Sequence, residues 1–148
     1  MEKVLKQNLS TKRLFLLTVS GAFIFWIASF ITSLLPIAAE YRAAYDNWNM
    51  QTVWVGAVFA GLLFGFLVSF FLLLSGKSTP VRRPLLRAIL LSLCALAVAI
   101  LLIDLPHARQ AHENVLHYFL IGVMFNTVRF VLLGLAVGLA YRVFRVIR

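Results

Sequence analysis

Residues 14–39 read LFLLTVSGAFIFWIASFITSLLPIAA and contain no charged side chain. A helix of roughly 20 apolar residues crosses the hydrocarbon core of a bilayer, which is about 30 Å thick. The apolar part of a cleavable signal peptide is only about 7–15 residues long, so we interpret this stretch as a retained membrane-spanning helix. Pro36, near its end, is expected to free the carbonyl of Thr32 or to kink the helix.

Three further apolar runs follow the first. They predict helices over about 52–74, 85–105 and 115–141, and Pro106 allows an alternative start of the fourth helix near residue 106, because proline suits a first helical turn. Of the 148 residues, 62% are hydrophobic and 13% are charged, whereas soluble domains have about a quarter charged residues. We therefore predict an all-α integral membrane four-helix bundle, with residues 1–148 as a single transmembrane domain.

The net charge of +9 is unevenly distributed among the segments outside these helices. Three segments are strongly basic, with Lys3, Lys6, Lys12 and Arg13 in the first, Lys77, Arg82, Arg83 and Arg87 in the second, and Arg142, Arg145 and Arg148 in the third. The two segments that alternate with them hold Arg42 and Arg109 beside the acids Glu40, Asp46, Asp104 and Glu113. Basic loops stay in the cytoplasm, so we predict a multi-pass protein of an inner cell membrane with both termini cytoplasmic. The basic residues would attract anionic lipids on that face, and the alternation argues against nucleic acid as a partner.

Arg129 interrupts the fourth apolar run, 12 residues from His117 and 13 from Arg142. A charge near the bilayer midplane costs about 2.5–3.5 kcal/mol on insertion scales and indicates a functional site by default. No acid is expected inside a span, since Glu40 and Asp104 lie at outer helix ends about three turns away. Arg129 could bind a mobile anion or acidic headgroup, pair with an acid of another subunit, or be satisfied by backbone carbonyls, an amide side chain and water.

Helical spacing places other polar residues near Arg129. Asn126 lies one turn from Arg129 on the same face of the fourth helix. Trp26, Ser29 and Ser33 share one face of the first helix, and the two serines come at depths similar to Arg129 and Asn126. We predict that these five residues form a ligand-binding site around a polar cavity.

Small residues recur at every fourth position in two of the predicted helices. They are Gly61, Gly65 and Ser69 in the second helix, and Gly134 and Gly138 in the fourth. Such stripes let helix backbones approach closely in lipid. They predict helix packing, either within the bundle or in a homo-oligomer or a complex with another membrane protein.

Three histidines, His107, His112 and His117, cluster in the second outer segment. The pattern His112-Glu113 followed by His117 is not the zinc motif H-E-x-x-H, because its histidines are five rather than four residues apart. Glu113 shares a helical face with Arg109, which favours an ordinary ion pair. A divalent metal held by His117, Glu113 and His107 at the outer boundary is an alternative with an incomplete ligand set.

No phosphate-binding loop, nucleophile elbow or Cys-x-x-Cys motif occurs in the chain. The single Cys94 also excludes an intrachain disulfide. We therefore expect a non-enzymatic protein, with no catalytic residue, that binds or transports an anionic small molecule or acidic lipid at Arg129. The alternatives are a structural or assembly subunit of a larger membrane complex, in which Arg129 pairs with a partner's acid, and a metal- or quinone-linked redox membrane protein.

Overall fold

The computed structural model describes residues 2–44, 49–78, 83–109 and 114–146. Within these ranges the chain forms α-helices and one π-helical turn, and no strand. In chain order the elements are α1 Glu2–Ser33, α2 Pro36–Ala43, α3 Met50–Ser78, α4 Pro84–Ala99, the π-helical turn Ile100–Asp104, α5 Leu105–Ala108 and α6 Val115–Val146.

Four helical spans are long and apolar enough to cross a membrane: Thr11–Ser33, Met50–Ser75, Pro84–Ala108 and Val115–Phe144. The third of these combines α4, the π-helical turn and α5. Large apolar side chains, among them Phe15, Phe59 and Leu102, are exposed on the outside of the bundle. A surface of this kind suits lipid rather than water. The prediction of an all-α membrane bundle of four helices is confirmed.

The first span ends at Ser33 rather than continuing to residue 39. Pro36 begins a separate helix, α2, because a proline ring is unfavourable inside a helix but suits its first turn. The carbonyl of Thr32, which the sequence suggested would be freed, accepts the backbone N–H of Leu35 at 3.3 Å. The proline thus separates two helices instead of kinking one.

The last helix, α6, begins at Val115, whereas Pro106 lies in α5 at the end of the third span. The alternative start of the fourth helix near residue 106 therefore does not describe this helix. Pro106 occupies an early position of the short helix α5, where its missing N–H costs little. Residues 110–113 lie outside the described part of the chain.

The four long helices pack in a ring, in which α1 and α4 each contact both α3 and α6. Neighbouring helices run antiparallel: Gly61 lies against Ala22, and Gly65, one turn later, lies against Thr18, one turn earlier. We call the end of the bundle that carries Lys12, Arg13, Arg83, Arg87 and Arg142 the basic end. The opposite end, which carries α2 and α5, is the α2 end.

Both predicted small-residue stripes pack helices of this chain against each other. A Cβ atom at Gly61 would lie 3.0 Å from the carbonyl oxygen of Ala22, and one at Gly65 would lie 2.9 Å from that of Thr18. These contacts join α3 to α1, and Ser69 continues the stripe as a fully buried residue.

The second stripe joins α6 to α4 in the same way. A Cβ atom at Gly134 would lie 2.9 Å from the Cα of Ile89, and one at Gly138 would lie 3.0 Å from the Cα of Leu85. The Ser92 hydroxyl also donates a hydrogen bond to the carbonyl of Phe130 across this interface. The stripes are thus occupied within the bundle.

The basic end of the bundle has a closely packed apolar core. It consists of Leu17, Val68, Leu72, Leu133 and Val137, each of them almost fully buried. Toward the α2 end this core is closed by three phenylalanines, because the ring of Phe130 packs on those of Phe25 and Phe64 with centroids 5.5 and 4.8 Å apart. The cavity described next begins above these rings.

Candidate polar cavity

A cavity of about 350 Å³ lies at the α2 end of the bundle, between the helices. The polar side chains on its wall come from α1, α2, α3, the π-helical turn, α5 and α6. They are Ser33, Tyr41, Arg42, Thr52, Asp104, His107, Asn126 and Arg129. The remainder of the wall is mostly apolar, and it includes Phe25, Phe64 and Phe130 at the floor. A pocket that is largely apolar with a few convergent polar groups is typical of a small-molecule site.

The polar centre is a chain of hydrogen bonds that runs across the bundle. The Asn126 amide nitrogen donates to both carboxylate oxygens of Asp104, at 2.8 and 3.0 Å. Arg129 Nη1 donates to the Asn126 amide oxygen at 3.2 Å, and Nη2 donates to Thr32 Oγ1 at 3.4 Å. Asn126 therefore links the carboxylate on the third span to the guanidinium on the fourth.

The guanidinium of Arg129 carries a positive charge, because arginine is effectively always protonated in proteins. Its carbon lies 6.0 Å from the centre of the Phe125 ring, at the limit of a cation–π contact. Its Nε–H is buried and has no hydrogen-bond acceptor among the described residues. Arg129 thus retains unused donor capacity at the wall of a cavity.

Asp104 faces the interior because of the π-helical turn that contains it. Along α4, the residues that face inward are Ala88, Ser92, Leu96 and Ala99, with the spacing of an α-helix. Continued α-helical spacing would bring Ile103 inward next, yet Ile103 is 53% exposed and Asp104 is 6% exposed. The wider turn shifts the inward position by one residue.

The sequence-based expectation that no acid lies inside a span is therefore corrected. The third span reaches Ala108, so Asp104 lies within it and attracts Arg129 electrostatically. A π-helical turn of this kind is frequent at functional sites. The π-helical turn depends on packing between helices and leaves no periodic pattern in the sequence. The inward orientation of Asp104 was therefore not predicted.

Arg42 and Trp54 both bind Ser33 at the end of α1. Arg42 Nη1 donates to the carbonyl of Ser33 at 2.9 Å, which places a cation at the negative end of the helix dipole. Trp54 Nε1 donates to Ser33 Oγ at 3.0 Å. These two contacts hold α2 and α3 at the rim of the cavity.

Replacing Ser33 with alanine should destabilise the protein by about 1 kcal/mol, because the indole N–H of Trp54 loses its acceptor. The matched control is Ser20→Ala, because Ser20 Oγ donates to a carbonyl of its own helix, that of Leu16, as Ser33 Oγ does to that of Phe30. Thermal unfolding followed by tryptophan fluorescence measures the difference. Equal melting temperatures for the two variants would show that the Trp54 bond contributes nothing.

Three of the five predicted ligand-binding residues, Arg129, Asn126 and Ser33, lie together on the cavity wall. The other two lie elsewhere. Ser29 is fully buried and its hydroxyl donates to the carbonyl of Phe25 in the same helix. Trp26 packs between the rings of Phe23 and Phe30, with centroids 6.4 and 6.0 Å away.

The predicted ligand-binding set lacked six polar members of the site: Thr32, Tyr41, Arg42, Thr52, Asp104 and His107. His107 follows Asp104 by three residues, and this spacing does indicate a shared helical face. Thr32 precedes Ser33 on a different face, and its role depends on how α1 meets α6. Arg42 belongs to α2, whose orientation is decided by contacts with α1 and α6.

The residues of the predicted metal site have different neighbours. His107 lines the cavity and interacts electrostatically with Asp104, whereas His117 Nε2 lies 3.0 Å from a carboxylate oxygen of Glu40 in an exposed pair. Glu113 lies outside the described residues. Within those residues, no three His, Cys, Asp or Glu side chains are grouped closely enough to hold a metal ion. The metal site stays a prediction.

No protein-family model, curated protein or solved structure matches this chain. Within the described residues, the structure has four helices long and apolar enough to span a membrane, which fits a small membrane protein. It also places two arginines and one aspartate on the wall of a cavity among the residues described. Function is therefore inferred from this arrangement.

Proposed function

We propose that this protein binds an anionic small molecule or an acidic lipid headgroup in the cavity, with Arg129 as its electrostatic anchor. The observation that carries the proposal is that the Arg129 guanidinium lines a cavity and has an unsatisfied N–H. A cavity of about 350 Å³ lies within the range of small-molecule sites, about 300–1,000 Å³. Asn126 and Ser33 supply further polar groups on the same wall.

The charges on the described wall favour an anion. Arg42 and Arg129 contribute two positive charges, and Asp104 contributes one negative charge. His107 adds a further positive charge when it is protonated. Because Arg42 and Arg129 are partly buried among the helices, this excess positive charge acts more strongly than it would in bulk water.

The floor of the cavity favours binding over a continuous pore. Phe25, Phe64 and Phe130 are nearly fully buried and pack edge to face, and the apolar core lies directly beneath them. Among the described residues, these rings and the apolar core separate Arg129 from the basic end in this conformation. Transport would require these rings to separate.

The location that accompanies this proposal is an inner cell membrane with both termini cytoplasmic. Lys12, Arg83 and Arg142 are exposed at the basic end. Basic segments stay on the cytoplasmic side, where they meet anionic lipids. The cavity would then lie in the half of the bundle away from the cytoplasm.

Two features motivated the alternative function, a structural or assembly subunit of a larger complex, and both are accounted for within this chain. Arg129 already interacts with Asp104 through Asn126, so it needs no acid from a partner. The glycine stripes are covered by helices of the same chain, so they offer no free docking surface. Binding therefore accounts for more of the structure than assembly does.

Replacing Arg129 with glutamine should weaken anion binding by roughly 10- to 100-fold. A hydrogen bond to a charged group contributes about 1.5–3 kcal/mol, and each 1.4 kcal/mol is a factor of ten in affinity. The measurement is the binding of inorganic phosphate by titration calorimetry, and of phosphatidylglycerol by native mass spectrometry, with the protein in nanodiscs of zwitterionic lipid. Arg109→Gln is the matched control, because Arg109 is exposed at the same end of the bundle.

The neutral pair Asp104→Asn/Arg129→Gln keeps this test informative if Arg129→Gln alone folds poorly. It removes both charges and keeps a polar side chain at both positions. Wild-type affinity for phosphate or phosphatidylglycerol in a folded variant lacking Arg129 would refute the proposed site. So would the absence of any anion binding by the wild-type protein.

A further inference from the structure

Apart from Thr52 near its start, the α3 wall of the cavity is apolar. Val53, Ala57, Ala60 and Phe64 all line the cavity, and their 4-3-4 spacing places them on one face of the helix. The facing wall carries the polar chain of Asp104, Asn126 and Arg129. The cavity is therefore amphipathic, with a charged side and a long apolar side that ends at the phenylalanine floor.

The cavity reaches the outside of the bundle between α3 and the π-helical turn. Gly56 and Ile103 both line the cavity, and both are exposed. Gly56 lies about 140° around α3 from Gly61, which faces α1. A Cβ atom at Gly56 would meet nothing within 4 Å, so open space adjoins the backbone there.

This opening lies at membrane depth. Gly56 is six residues inside the second span, which begins at Met50, and Ile103 is five residues inside the third, which ends at Ala108. At 1.5 Å per residue, both positions lie about 7–9 Å from the ends of their spans. In a bilayer whose hydrocarbon core is about 30 Å thick, the opening would therefore face lipid near the edge of that core.

We propose that the ligand is a single-chain amphiphile with a compact anionic head, of the fatty-acid type, which enters from the bilayer between Gly56 and Ile103. This inference rests on the proposed function, because the head binds at Arg129. The first carbons of the chain lie along the apolar stripe of α3, and the rest extends through the opening into lipid. A volume of about 350 Å³ is at the low end for ligand sites, which favours one chain over a two-chain phospholipid.

The test is native mass spectrometry of the protein released from zwitterionic nanodiscs that contain tetradecanoate. Gly56→Trp places an indole in the open space beside the backbone and should lower tetradecanoate occupancy at least tenfold. Val55→Trp is the matched control, because Val55 is exposed on the neighbouring face of α3 outside the cavity wall. Ile103→Trp, on the other side of the opening, replaces Gly56→Trp if that variant does not fold.

Four probes separate this inference from the function on which it rests. Tetradecanoate should bind to wild type and Val55→Trp, while tetradecanol, with the same chain and no charge, should bind to neither. The inference is overturned if tetradecanoate does not bind, binds equally to Gly56→Trp, or is matched by tetradecanol. If inorganic phosphate or phosphatidylglycerol still binds through Arg129 in those cases, the proposed function stands. If no anion binds in a way that depends on Arg129, both the inference and the proposed function are refuted.

Discussion

Asp104→Leu is expected to unfold at a much lower temperature than the wild-type protein, and Asp104→Leu/Arg129→Leu is expected to recover most of the loss. Asp104 is 6% exposed and accepts two hydrogen bonds from Asn126. Its removal leaves the charge of Arg129 without a described counter-charge inside the bundle. Breaking a buried charge pair costs about 3–5 kcal/mol, whereas replacing both charges by apolar groups is often neutral.

Thermal unfolding of the wild type, the two single variants and the double variant forms a double-mutant cycle. The coupling between Asp104 and Arg129 should be large, since one hydrogen-bonded amide joins them. Glu40→Leu is the control, because the exposed pair of Glu40 with His117 should contribute only about 0–1 kcal/mol. Additive losses in the double variant would mean that the two charges do not stabilise each other.

Gly134→Leu should prevent the normal packing of α6 on α4 and abolish a cooperative unfolding transition. A Cβ atom at Gly134 would already lie 2.9 Å from the Cα of Ile89 and from the Cβ of Ser92, and backbone cannot move aside as a flexible side chain can. Overpacking costs about 1–3 kcal/mol even where neighbours can adjust. The variant should also lose the hydrogen bond from Ser92 to Phe130 as the helices separate.

Gly56→Leu is the matched control for this substitution. It adds the same side chain to a helical glycine, but at a position where a Cβ atom meets nothing within 4 Å. Leucine is favoured over glycine in a helix by about 0.5–1 kcal/mol, so its melting temperature should be equal to or above that of the wild type. Equal melting temperatures for Gly134→Leu and Gly56→Leu would show that close approach at Gly134 is not required.

The membrane fold could be predicted from sequence because its cause is local. Each span is a long apolar run, and an isolated helix satisfies its own backbone hydrogen bonds in lipid. The pairing of Asn126 with Arg129 could be predicted for the same reason, since side chains three residues apart on one helix are neighbours. The sequence also indicated that Pro36 interrupts the first helix. It did not indicate that the result is two separate helices instead of one kinked helix.

The rest of the site depends on contacts between distant parts of the chain. The hydroxyls of Ser29 and Thr32 both donate to carbonyls of α1, yet Thr32 also accepts a hydrogen bond from Arg129. The difference is the rotation of α1 against α6, which side-chain spacing within α1 does not specify. The partners of the glycine stripes likewise depend on which helices are neighbours.

Sequence alone therefore determined the four-helix membrane architecture, the position of a charge within the fourth span and the amide beside it, because apolar runs and helical periodicity are properties of short segments. Tertiary structure decided that Asp104 faces this charge, since a π-helical turn rotates it inward by one residue. It also decided that Arg42 and His107 join the cavity and that the small-residue stripes are used within the bundle. These features follow from helix rotation and packing, whose energies arise between residues far apart in the chain.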